Sequence, residues 1–328
     1  MYSTLGLIVT AGVVSATSIS PTTTYVTPPP IFDALSHTTW SRTSANSRIG
    51  DITVPFTNTD GNEDNIKMYR LDLVGDAHTK GYDHGYLLHR EIIEFVDVKL
   101  NKYFMDMVLN LDFDTSQLPK PLQDIFEIIK IKGAIAAPQA FNKAMDWVYE
   151  HEEQYMPQYL IDEMNGIGEG ICAGLKGSGL NEKCDLNAMQ ATVKRVNMLP
   201  ELIRMACTAF GAWGKGSGSE TGSLVQLRAL DFGGGPFANY TVITTNRNEN
   251  ERSFASVSFP GFVGVITGIS QDGIGISEKV WMTYDKYGLK PGSYDGIPDP
   301  FVLRAILQET KTRSEAENYM KNVNRTWG

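Results

Sequence analysis

The chain is poor in cysteine and histidine, and no apolar run in it is long enough to cross a bilayer comfortably. Three cysteines in 328 residues cannot build a disulfide scaffold; they allow one pair and leave one thiol over. All five histidines (His37, His78, His84, His89 and His151) lie before residue 152, so a nucleophile in the second half finds no histidine near it in sequence. Basic charge is short as well. With 29 Lys and Arg against 38 Asp and Glu the formal charge is −9, which argues against a nucleic-acid partner. Nothing calls for a metal or a cofactor. What is present, 42% apolar and 10% aromatic residues, supports a real core and excludes global disorder.

The N-terminus has an apolar run from Leu5 to Val14 followed by small residues, and residues 1–16 read as a cleaved secretory signal that lacks the usual basic start. A buried strand or helix is the alternative. Two sequons, at Asn239 and Asn324, are glycosylation candidates and agree with export. Cys172 and Cys184 are close enough in sequence to pair in an oxidising compartment, which would leave Cys207 as the odd thiol.

Residues 17–66 read as an extended, Pro/Thr-rich and loop-rich segment, with three prolines at 28–30. "KMYRLDLVG" alternates like a strand and breaks at Gly75. From 67 to 206 the pattern is mostly helical, with apolar positions at helical spacing and "PLQDIFEIIKIKG" opening on proline and stopping at glycine. From 207 to 328 the character changes. Six strand-like runs, from "CTAFGAWG" to "GIGISEKVWMT", are separated by Gly, Ser, Asn and Asp turns, and two helices follow. The glycine-rich "GKGSGSETGS" lies between two strands and lacks phosphate-loop spacing, so it reads as a hairpin loop. The fold class expected is α+β.

Cys207 stands where the helical half hands over to the strand-rich half. A cysteine attacks as thiolate and needs a base or a positive field. If the Ala206–Cys207 bond is cut, the new α-amine, with a pKa near ~7.7–8, is a base built into the same residue. An Arg228 guanidinium near the sulfur would favour thiolate, and an Asp231 carboxylate could hydrogen-bond the amine. Arg228 and Asp231 fall on opposite faces of an ideal strand, so both line one site only if the strand ends or bends by Asp231. An ordinary edge-strand ion pair is the alternative, as is a distant Cys/His pair.

The block "CTAFGAWG…SLVQLRALDF" resembles the start of the catalytic β-chain of N-terminal-nucleophile (Ntn) hydrolases. The nearest group is the penicillin acyl-CoA:6-aminopenicillanate acyltransferase-like family, with acid ceramidase-like and choloylglycine amidases as cousins. Upstream, Gly75, Gly81, His84 and Gly85 resemble that family's G-x5-G-x2-H-G motif. Downstream, "GISQDGIGISEKVW" and the helices after it resemble its late strands and closing helices, so the likeness covers about residues 68–321.

The resemblance implies an αββα sandwich and self-cleavage between Ala206 and Cys207, with the α and β fragments staying associated. Cys207 would be the nucleophile, Arg228 would steady thiolate and substrate, Asp231 would hold the freed amine, and His84 would be structural. The substrate class implied is a linear non-peptide amide, such as an N-acyl amine or lipid amide, with "FMDMVLNL" and "IFEIIKIKGAIAAP" as candidate acyl-pocket walls. Location would be secreted or lysosomal. Relatives place an asparagine near the oxyanion where this chain reads Glu278-Lys279; Lys279 could donate in its place, whereas a carboxylate donates only when protonated. The second sheet reads as incomplete. A phospholipase B-like esterase or acyltransferase, or a non-catalytic exported binding or structural protein keeping the fold, are the alternatives.

Overall fold

The structure, a computed structural model, describes residues 38–326 except 58–62, 104–115, 117, 134–136, 180–183, 204–206, 218–223, 231–235, 248–251 and 280–293. Residues 1–16, the expected signal, lie outside it. The protein is α+β, as the patterning implies. Among the described residues no helix is long and apolar enough to cross a membrane.

Three strands open the described chain: β1 (Thr39–Ser44), β2 (Ser47–Thr57) and β3 (Glu63–Val74). From residue 39 on they replace the loop-rich reading of 17–66 with strand, and the boundary at 66/67 falls inside β3; residues 17–37 lie outside the described residues. β2 and β3 pair antiparallel without a break from Arg48↔Asp72 to Thr57↔Glu63, and the Arg48 guanidinium reaches Asp72 Oδ2 at 3.0 Å. Those long-range backbone bonds and cross-strand charges hold a strand whose own composition is too polar to announce it.

Six helices follow: α1 (Ala77–Leu87), α2 (His89–Ile93, running on as a π-helical turn, Glu94–Leu100), α3 (Lys120–Lys132), α4 (Ala137–Glu152), α5 (Gln158–Gly177) and α6 (Leu186–Ile203). Then come β4 (Cys207–Ala212), β5 (Val225–Leu230), β6 (Val242–Arg247), β7 (Phe254–Ser258), β8 (Thr267–Ser270) and β9 (Gly275–Ser277). Two helices, α7 (Asp299–Glu309) and α8 (Arg313–Asn322), close the described chain.

β1-β2-β3-β6-β7-β8-β9 form one mixed sheet, in which β3 and β6 run parallel. The helical stretch is thus carried on the crossover between two halves of a single sheet. Alternation along the strands turns Ile49, Leu71, Leu73 and Val242 into the helical core, while Ile52, Met68 and Ile243 cluster separately. β4 and β5 form a second, two-stranded antiparallel sheet, the hairpin expected around "GKGSGSETGS". At its far end Phe210, Trp213 and Leu224 are exposed.

The G-x5-G-x2-H-G motif is a packing device. A methyl group on Gly81 would lie 2.1 Å from the Glu163 carbonyl oxygen, and one on Gly85 2.0 Å from that of Ile167. α1 and α5 therefore meet backbone to backbone, which only glycine permits. His84 Nε2 accepts from the Gly261 N–H at 3.0 Å, so this helix pair also anchors the loop before β8.

Candidate functional site

The site is built from β4, β5 and β8. Cys207 begins β4 and faces Leu230, while Ala209 faces Arg228. Cys207 and Arg228 are therefore diagonal neighbours on one face of the hairpin, a spacing a long side chain spans. Arg228 Nη1 lies 3.6 Å from Cys207 Sγ, and Cys207 is fully buried. The guanidinium is steered from behind, because its Nε donates to Thr267 Oγ1 on β8. Fixed in this way, a cation stands beside the thiol and favours its ionised form.

The two candidate oxyanion residues separate in the structure. Lys279 is exposed, whereas Glu278 is buried and donates its backbone N–H to Ile266 O at 2.9 Å. Burial first, and then the Asp299 carboxyl to which it is hydrogen-bonded, push Glu278 up to about 8. The shift favours the protonated form at neutral pH, hydrogen-bonded to Asp299. Arg228 is the cation that opposes this shift, so Glu278 and Cys207 share one guanidinium.

Behind Asp299 lies a further buried acid pair. The Asp299 N–H, at the start of α7, donates to Glu201 Oε1 at 3.2 Å, and Glu201 is hydrogen-bonded to Glu152 at the end of α4. Burial raises Glu201 to about 7, and burial with the Glu201 charge raises Glu152 to about 11. The Thr326 side chain also hydrogen-bonds Glu201 and, with the Asp299 N–H, works against the shift. What joins the Glu201 and Glu152 carboxyls is a proton of their own.

Ala206 and Asp231 lie outside the described residues, although β5 ends at Leu230, one residue before Asp231. Cys172 and Cys184 are joined in a disulfide with Cα atoms 5.3 Å apart, which leaves Cys207 as the cysteine outside it. Asn239 is exposed on a 3-10 turn; Asn324 is exposed too, with its Nδ2 donating to Asp295 O at 2.9 Å. Of the two proposed pocket walls, "FMDMVLNL" lies outside the described residues. On α3, Phe126 and Ile129 are core while Ile128 and Ile131 face out. Sequence reasoning missed Thr267, Asp299, Glu201 and Glu152. They are scattered over four elements, and nothing in their local patterns sets them apart.

Fold and site together define an α+β protein with a cysteine–arginine pair beside a buried acid ladder. No protein-family model matches the chain. It is similar to Protein dcd1B of Dictyostelium discoideum, 31% identical over 278 residues that make up 80% of this chain and 47% of that protein. It is similar also to Protein dcd1A of the same organism, 33% identical over 267 residues, or 78% of this chain and 53% of that protein. The chain spans about half the length of the curated relatives it matches.

Proposed function

We propose that this chain is a self-processing cysteine Ntn amidohydrolase of αββα type, acting on a linear non-peptide amide in a secreted or lysosomal setting. The observation that supports it most is the Arg228 guanidinium 3.6 Å from a buried thiol on the first residue of a strand. Processing begins when Cys207 Sγ attacks the Ala206 carbonyl carbon. The C–N bond breaks, the thiol proton passes to the nitrogen, and a thioester holds the two pieces. Water opens that thioester, leaving a carboxyl on Ala206, the thiol on Cys207 and a free α-amine.

In turnover the α-amine takes the thiol proton, and Sγ forms a bond to the acyl carbon of the substrate. The amide C–N bond breaks and the departing amine carries the proton away. Water then hydrolyses the thioester, releases the acid and restores the thiol. Arg228 favours the thiolate, and Asp231 would hold the amine in line. With Glu278 donating to Asp299 and Lys279 exposed, the oxyanion donor in this reading is neither of those side chains.

Denaturing gel electrophoresis with N-terminal sequencing tests this directly. Two fragments are expected, the smaller beginning Cys-Thr-Ala-Phe, and Cys207→Ala should yield one uncut band. A wild-type chain that stays whole after mild acid treatment overturns the proposal, and so does a Cys207→Ala chain cut at the same bond.

A further inference from the structure

We infer that Glu278 is a positioning residue that decides, by holding or losing its proton, how much of the Arg228 charge reaches the Cys207 sulfur. The inference deepens the reading of Cys207 as nucleophile and rests on it for its consequence in catalysis. Its geometry stands apart from that reading.

Arg228 lies between two partners. On one side Nη1 is 3.6 Å from Cys207 Sγ. The other is Glu278, within reach of the guanidinium's charge and not in an ion pair with it, buried at 5% exposure just past the end of β9. The register of β8 and β9 fixes this approach. Thr267, which accepts from Arg228 Nε, pairs with Ser277, the residue before Glu278. A methyl group on Gly275 of β9 would come within 2.9 Å of the Gln226 side chain on β5, so the two sheets abut here.

The charged groups facing Glu278 are Arg228 from β5, Asp299 from α7 and Glu201 from α6. Two of the three are acids, and Asp299 faces Arg325 in turn. Glu278 therefore keeps a proton while the thiol next door is offered a whole guanidinium. Once the proton leaves for solvent, a buried carboxylate appears beside Arg228, and part of the cation's field is spent on it. At the effective dielectric of about 20 that suits protein sites, a carboxylate near but not touching the sulfur is expected to move the thiol by on the order of one pH unit. The device works in one direction. On the acid side the arginine serves sulfur, and on the alkaline side that service weakens. A neutral residue at 278 would have no such dependence.

The test reads the thiol itself. With Cys172 and Cys184 bridged, Cys207 is the one cysteine that can ionise, and far-ultraviolet thiolate absorbance against a Cys207→Ser reference follows it. The purified chain is titrated from pH about 5 to about 10, as wild type and as Glu278→Gln. Expected is a single-site curve for Glu278→Gln, with a midpoint about one pH unit below that of the wild type, whose curve is spread over a wider range. Superimposed curves overturn the inference. If Glu278→Gln does not fold, Asp299→Asn carries the test. Without the acid partner Glu278 ionises at lower pH, and the thiol midpoint should rise by several tenths of a unit at least; an unmoved midpoint overturns the inference equally. The two proposals fail separately. Fragments with superimposed curves leave the nucleophile standing and sink the role of Glu278, whereas displaced curves in a chain that is never cut do the reverse.

Discussion

Two buried polar clusters among the described residues are built on opposite plans. One, between α1, α5 and α7, gathers Lys80, His84, Glu163 and Arg304. Arg304 Nη2 reaches Glu163 Oε2 at 2.5 Å while its Nη1 donates to Val263 O at 2.8 Å. Burial by itself would raise Glu163, but Arg304 and Lys80 outweigh it and hold the carboxyl below its usual range. The other cluster, running from Glu152 through Glu201 and Asp299 to Glu278, has four acids, all raised chiefly by burial. The first matches its charges and locks helices together. The second, short of cations, raises its acids and so favours their protonated forms, beside a thiol and its arginine. Glu163, Glu152, Glu201 and Glu278 are all buried; the availability of a counter-charge decides whether such a carboxyl is a strut or a titrating group.

Breaking a partner should separate them most sharply. Arg304→Ala strands Glu163 as a buried charge and should cost about 3–5 kcal/mol, read from urea unfolding. By contrast Glu201→Gln removes an acid that is neutral at low pH. Unfolding midpoints at pH about 5 should change little, while at pH about 8 the variant should be the more stable protein. Should Glu201→Gln destabilise at both pH values as Arg304→Ala does, the contrast between the clusters is wrong.

The same contrast sets the response of the whole fold to pH. Folded-state values for Glu201, Glu278 and Glu152 lie near 7, 8 and 11, above the ordinary value of 4.5. The stability these acids contribute is full below that value and is lost as pH rises through the folded values. His84 works the other way. Burial lowers it to about 4 from 6.5, so its contribution is full above 6.5 and lost as pH falls through 4. Three raised acids outweigh one histidine between those limits. Melting temperature should therefore be higher at pH about 5 than at pH about 8, and a chain most stable in mild alkali would contradict this. The smallest effect is expected at the exposed Arg313–Glu317 pair of α8, where Arg313→Ala should leave the melting temperature unmoved.

Much of this was legible in the residues. Turn chemistry and alternation placed all six strands from Cys207 to Ser277, and helical spacing placed the helices. Diagonal pairing then brought to Cys207 the arginine that its chemistry called for. β1 and β2 were missed because their hydrophobic signal is weak and they are held by pairing across the sheet, β1 on β2 and β2 on β3. The acid ladder left no local mark at all. Glu152 sits in the polar run "YEHEEQY", and Glu278 looked like a defect where an amide was expected.

What the sequence determined by itself was the class of fold, the handover from helix to strand at Cys207 and the glycines that let two helices touch. Those follow from periodicity and from the bare backbone, which neighbours along the chain can express. Only the tertiary structure decided that Arg228 is shared between a thiol and an acid, and that four carboxyls meet out of water. Protonation depends on solvent exclusion and on charges brought together across the fold, and neither exists until the chain has closed on itself.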